Sequence, residues 1–166
     1  MKRQHALAEA ASPSAPAATV LTTDIDTRAI ETGACGIYAL ADVEKLEAAR
    51  LRRFFLRGTG KRQGRVRVSP NLRSMVEFRA LNLLAPDLAV RGSFDAIFCR
   101  NLLIYFDKPT QARLLDRLAR QLRPDGLLFA GHSENLTGIS RAFELRGHTV
   151  YTRVLEQAQS CVAVPA

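Results

Sequence analysis

Arg100 and Asn101 follow directly on Phe94-Asp95-Ala96-Ile97-Phe98-Cys99, a short and almost wholly apolar run. A guanidinium and a carboxamide at the end of such a run can point into a crevice and hold a polar ligand, or can bond nearby loop carbonyls; the pair alone leaves both readings open. Asp24 and Asp26 follow a β-branched run in the same way. A carboxylate just past a strand in a nucleotide-binding sheet can accept both ribose hydroxyls, and it can equally well cap a loop or a helix. Gly131-His132-Ser133-Glu134-Asn135 holds the groups of a Ser-His-acid hydrolase. Three neighbours in sequence seldom form a triad, however, and no G-x-S-x-G elbow is present. Arg57-Gly58-Thr59-Gly60-Lys61-Arg62-Gln63-Gly64 is punctuated by glycine but lacks the Lys-Ser/Thr that a phosphate-binding loop needs after its last glycine. Cys35, Cys99 and Cys161 are odd in number, widely spaced and free of C-x-x-C, so neither a disulfide framework nor a zinc site is suggested.

The elements that must position these groups follow from pattern. Phe94 to Cys99 shows no solvent-facing alternation and reads as a central parallel strand covered on both faces, with Arg100 and Asn101 at its carboxyl end, the edge where open α/β sheets hold ligands. Asp107 and Pro109 make a helix start, and Leu114, Leu115, Leu118 and Leu122 give that helix an apolar stripe, with Arg113, Arg117 and Arg120 largely off it. Arg123-Pro124-Asp125-Gly126 stops the helix and turns into a buried strand over Leu127 to Ala130, completing a β-α-β crossover. Phe143 to Arg146 and Thr149 to Val154 read as a closing hairpin around Gly147-His148. Upstream, Thr19 to Thr23 reads as a strand and Thr27 as the cap of a short helix over Arg28 to Ala34. Leu40, Val43, Leu46, Leu51, Phe54 and Phe55 predict an amphipathic helix over Ala41 to Phe55. Arg65 to Val68 alternates as a half-exposed strand, and Met75 to Leu81 as another that leads into Asn82-Leu83-Leu84.

With 166 residues, 47% of them hydrophobic and 24% charged, the chain has room for one ordinary domain. It has no apolar run near the roughly 20 residues that span a bilayer, and its first residues lack the apolar centre of a signal peptide. A cytoplasmic protein with no direct membrane insertion is expected. The net charge of +8 is unevenly spread: Arg50 to Arg73 holds nine basic residues and no Asp or Glu. One positive patch results, suited to an acidic peptide as well as to a phosphate backbone. No aromatic stacking platform accompanies the arginines, which argues against nucleic acid.

The run FDAIFCRNLLIYFDKPTQ, followed by LRPDGLLFAGHSEN, resembles the CheR-type chemotaxis methyltransferases, which move a methyl group from S-adenosyl-L-methionine to receptor glutamates. The resemblance extends from about Thr22 to about Val154. It implies an α/β fold: a Rossmann-like class I methyltransferase sheet, incomplete because it lacks strand one, with a small antiparallel β-subdomain inserted at about 50–75. Residues 1–18 would be a frayed remnant of the first helix and a linker, 19–155 a partial methyltransferase domain and 156–166 a loose tail. Strands two and four of that sheet would face a gap on the order of 10 Å, two inter-strand spacings.

The resemblance also assigns roles. Asp24 would take the ribose, Asn82 and Leu83 would lie beside adenine, and Arg100 and Asn101 would hold the amino-acid part of the cofactor. Tyr105 would line the transfer site, and the loop at Gly131 to Asn135 would close over its substrate side. Arg57 and Arg67, with Gly58, Gly60 and Gly64 shaping the turn, would hold the carboxy-terminal tail of a methyl-accepting chemoreceptor, whose cytoplasmic domain is the implied partner. S-adenosyl-L-homocysteine is the implied product, and no metal is implied. The family's glycine-rich motif after strand one and its amino-terminal helical domain are not found in this sequence. The alternative is therefore a non-catalytic fragment that binds receptor tails through its basic β-subdomain.

Overall fold

The computed structural model describes residues 18–86, 88, 90 and 93–155. Residues 1–17, expected as a helix remnant and linker, and the expected tail at 156–166 lie outside the described residues. After Ala85 the chain divides into two compact units.

In the first unit, β1 (Val20–Asp24) pairs in parallel with β5 (Val76–Ala80), Asp24 opposite Ala80. Between them comes α1 (Thr27–Cys35). Its cap is Asp26 and not the expected Thr27: the Asp26 carboxylate accepts from the Arg28 N–H at 3.0 Å, leaving Thr27 as the first helical residue. Gly36 ends the helix in the left-handed region, φ 63°, where its N–H reaches the Thr32 carbonyl, and where glycine carries no Cβ penalty. The helix lies close on β5, since a Cβ on Gly33 would run into the Phe78 ring.

A three-stranded antiparallel sheet of order β2-β4-β3 follows, built from β2 (Ile37–Ala39), β3 (Phe55–Arg57) and β4 (Arg65–Val68). Its first strand lies upstream of the expected 50–75 bounds. Three residues are too few to show a period, and their pairing with β4 is set by contacts distant in sequence. The helix expected over Ala41 to Phe55 is two, α2 (Leu40–Val43) and α3 (Ala48–Phe54), and α4 (Pro70–Arg73) leads into β5. Val66 is the one large apolar side chain of this unit that is buried among the described residues.

The second unit is a four-stranded sheet of order β6-β7-β9-β8 with one long helix. Its strands are β6 (Phe94–Cys99), β7 (Leu122–Ala130), β8 (Phe143–Gly147) and β9 (Val150–Arg153); β6 and β7 run parallel, joined through α5 (Lys108–Gln121). The Asp107 carboxylate caps α5 by accepting from the Thr110 N–H at 3.1 Å, with Pro109 in the first turn. The predicted stripe is core: Leu114 and Leu115, with Leu103, Leu122, Leu128 and Leu136, are at most 2% exposed. Each such leucine contributes about 1.5–3 kcal/mol through burial.

Two expectations change here. β6 is an edge strand among the described residues, with Phe98 58% exposed and stacked on Phe129 at 4.5 Å between ring centroids. An apolar run thus specifies a strand here without coverage on both faces. Arg123 to Gly126 is not a free turn but an irregularity within β7, whose pairing with β6 begins at Leu122 opposite Phe94 and shifts register before Ala96. Gly126 permits this, because a Cβ there would stand 2.9 Å from the Phe94 carbonyl oxygen. The result is an α/β architecture whose parallel pairs, β1–β5 and β6–β7, belong to separate ladders. No helix of the described residues is long and apolar enough to cross a membrane.

Candidate functional site

In the second unit, β6 ends in a loop that carries Arg100 and Asn101 and then a single 3-10 turn, Leu103–Tyr105. What shapes this loop comes from the end of β7. Glu134 is 6% exposed, and both its oxygens are engaged by main chain. Oε2 accepts from the N–H of Asn101 at 3.0 Å and of Gly131 at 2.6 Å, while Oε1 accepts from Leu102 at 2.9 Å and Leu103 at 2.8 Å. Four N–H donors offset the cost of burying a carboxylate, a cost it could not bear unpaired.

From α5, the buried Gln111 donates its Nε2 group to the carbonyls of Leu103 at 2.8 Å and Phe106 at 2.9 Å. The loop is therefore held by its N–H groups on one side and by its carbonyls on the other. Asn101 adopts φ 56°, a left-handed conformation that asparagine tolerates better than most residues. Gly131 has no room for a Cβ, which would stand 2.6 Å from Glu134 Oε2 and 2.8 Å from Asn101 Oδ1. Next to this loop, burial and the Glu134 charge push the Cys99 thiol up to about 12, so it is a neutral packing group. Arg100 and Asn101 are exposed, and Tyr105 is 64% exposed, so its phenol is a surface group and not core.

In the first unit, the parallel pairing of β1 and β5 brings Asp24 and Asn82 to one carboxyl edge, where the Leu81 N–H donates to the Asp24 carbonyl at 2.9 Å. Asp24 is half-buried, and its Oδ1 accepts from the Asp26 N–H at 3.0 Å. Asn82 is exposed, and its Oδ1 accepts from the Leu84 N–H at 2.9 Å. Each polar group is thus oriented by its own turn. Among the described residues Asp24 Oδ2 and Asn82 Nδ2 have no protein partner, leaving one acceptor and one donor beside the half-buried Leu83. That set suits a ribose hydroxyl and the edge of a heterocycle.

On the small sheet, Arg57 and Arg67 are both exposed but project from opposite faces. Arg67 lies opposite Ile37 and Leu56, which are 40% and 55% exposed, whereas Arg57 lies opposite the buried Val66. Gly58 N–H donates to Arg65 at 2.9 Å and Ser69 N–H to Phe54 at 2.8 Å. This register turns the N–H and C=O of Arg57 away from β4, toward the open edge of β3. The opposite edge differs: on β2 the Ala39 N–H is taken by the Asp42 carboxylate at 3.3 Å. Gly60 and Gly64 have φ of 56° and 79°, and a Cβ on Gly58 would meet the Arg62 carbonyl oxygen, so all three glycines are required by the turn. A depression lined by Pro70, Arg73, Val76 and Phe78 holds none of the candidate residues.

Glu134 and Gln111 are the residues that the sequence did not single out as functional. Gln111 left a readable trace, a polar side chain one turn before Leu114 and Leu115 on an apolar stripe. Glu134 left little, since its partners are backbone amides common to any residue.

A model of the family described as "CheR methyltransferase, SAM binding domain" matches residues 5–152. The chain is 53% identical to the chemotaxis protein methyltransferase of Klebsiella aerogenes over 145 residues, 87% of this chain and 50% of that protein. It is 52% identical to the chemotaxis protein methyltransferase of Escherichia coli, over 80% of this chain and 46% of that one. With chemotaxis protein methyltransferase 2 of Pseudomonas aeruginosa it shares 49% identity, over 88% and 52%. The chain spans about half the length of these curated relatives. It belongs to the family of CheR methyltransferase SAM-binding domains.

Proposed function

We propose that this chain binds S-adenosyl-L-methionine and serves the methylation of glutamate side chains on a methyl-accepting chemoreceptor, in the cytoplasm. The observation that carries the reading is the loop after β6, where two buried side chains hold the main chain so that Arg100, Asn101 and Tyr105 stand exposed at the carboxyl edge of a parallel strand pair.

The roles follow from the chemistry of each group. The Asp24 carboxylate accepts ribose hydroxyls, and Asn82 with Leu83 offers an amide edge and an apolar surface to adenine. Arg100 and Asn101 take the amino-acid end, Arg100 as the partner of its carboxylate. S-adenosyl-L-methionine, when bound, supplies an electrophilic methyl group on a sulfonium. A glutamate with an ordinary pKa of about 4.3 is already anionic near neutrality, so no general base is required of this chain. Its residues act by positioning and by excluding water, with Tyr105 orienting the reacting groups.

The β3 edge receives the receptor's carboxy-terminal tail as an added strand, and Arg57 and Arg67 pair with its carboxylates. Holding the tail raises the local concentration of the glutamates to be modified. Titration calorimetry with S-adenosyl-L-homocysteine tests the reading. Saturable heat is expected, and silence at millimolar ligand removes the methyltransferase role. An acidic tail peptide that still binds after such silence would favour a receptor-binding fragment.

A further inference from the structure

We infer that Glu134 is the positioning residue for the cofactor's amino-acid end, fixing through four backbone N–H groups the loop that presents Arg100 and Asn101. This inference rests on the cofactor reading above. Its carboxylate spans three consecutive amides, Asn101 to Leu103, and gathers their N–H groups toward one point. Such convergence requires the left-handed turn at Asn101, φ 56°, and leaves the side chains of Arg100 and Asn101 exposed. The fourth donor, Gly131, ties the same carboxylate to the end of β7, and no side chain fits between. Gln111 holds the carbonyl side of the turn. Glu134 itself need not touch the cofactor, since its effect passes through the backbone it holds.

Glutamine is the informative replacement. It keeps the shape but puts an NH2 group where an oxygen accepted two N–H bonds, so donor would face donor. The loop then loses its set, while Asp24 on β1 and Asn82 and Leu83 just past β5, the groups proposed for the nucleoside, are not altered.

The experiment compares wild type and Glu134→Gln in binding two ligands by calorimetry. These are S-adenosyl-L-homocysteine and 5′-methylthioadenosine, which keeps the nucleoside but lacks the amino-acid end. The variant is expected to bind S-adenosyl-L-homocysteine about tenfold more weakly or worse, with methylthioadenosine unchanged within about twofold. Amide hydrogen exchange at 101–103 should accelerate while exchange in the middle of α5 does not. Equal weakening of both ligands, or weakening of neither, overturns the inference, as does unchanged exchange at 101–103. If Glu134→Gln does not fold, Gln111→Leu, which frees the carbonyl side of the same turn, carries the comparison under the same criteria. A wild-type chain that binds neither ligand removes the cofactor reading, and this role with it. That result is distinct from a wild type that binds and a variant that shows no split.

Discussion

Oε1 of Glu134 lies 2.8 Å from the amide nitrogen of Leu103, 31 residues earlier in the chain. The bond crosses from the end of one parallel strand to the turn that follows its neighbour, and it is buried along its length. It converts a loop with little regular structure of its own into a fixed platform. The order of this edge therefore depends on a few polar bonds together with the burial of Leu103.

Gly131→Ala should be costly for its size. The added methyl would meet Glu134 Oε2 at 2.6 Å and Asn101 Oδ1 at 2.8 Å, and Oε2 is already committed to the Asn101 and Gly131 N–H groups. Urea unfolding should show a loss of about 1–3 kcal/mol. Gly147→Ala, where nothing lies within 4 Å, should stay within about 0.5 kcal/mol. Similar costs at both positions would contradict the crowding at Gly131.

Cys99 should make stability fall at alkaline pH. Its native thiol is pushed up from 9.0 to about 12, so the folded chain holds this proton more tightly than the unfolded chain. The contribution is complete below 9.0 and is lost as pH rises toward 12. Replacing Cys99 by Ala should flatten that part of the stability profile. In the folded protein at about pH 8, iodoacetamide should label the exposed Cys35 and spare Cys99 until urea is added.

Asp107 tests the start of α5. Hydrogen bonds from Thr110 hold its carboxyl below the usual value of 3.8. The cap's contribution is therefore present above 3.8 and is lost as pH falls below it. Circular dichroism melts should show Asp107→Ala less stable than wild type near neutrality and the gap narrowing in acid. Asp107→Asn, which keeps the acceptor oxygen, should retain most of the wild-type melting temperature.

The β3 edge is tested by removing a donor that the fold does not use. Arg57→Pro deletes an N–H turned away from β4, which edge strands tolerate, yet it denies that N–H to an incoming strand. Binding of an acidic receptor-tail peptide should drop about tenfold, as it should for Arg67→Glu. If the proline variant binds as wild type does while Arg67→Glu is weakened, neither the N–H nor the guanidinium of Arg57 takes part, and the tail is held through the charge at Arg67 instead of by strand addition.

Much of the second unit was legible because its signals are local. Phe94 to Cys99 names a strand, Asp107 and Pro109 name a helix start, and Leu114, Leu115 and Leu118 name the buried face. The exposure of Phe98 was not legible, because an apolar run does not tell which of its faces has a neighbour. In the first unit the signals are short or compete. Asp26 and Thr27 are both good caps, β2 has only three residues, and the helical period from Leu40 to Phe55 runs through a break between Val43 and Ala48. Of the site, the exposed groups could be placed at strand ends from pattern and resemblance. The hold of Glu134 on main-chain amides could not, since an amide donor carries no side-chain signature.

A strand margin unpaired among the described residues, such as that of β3, is adhesive toward a twin. Two copies of this protein meeting along Phe55–Arg57 would bring together two stretches rich in basic residues and free of Asp and Glu, and that repulsion discourages self-stacking, whereas an acidic visitor would be attracted. Dissolved salt weakens this discrimination from both directions, so a concentrated sample in strong brine should clump where a dilute-buffer sample stays dispersed.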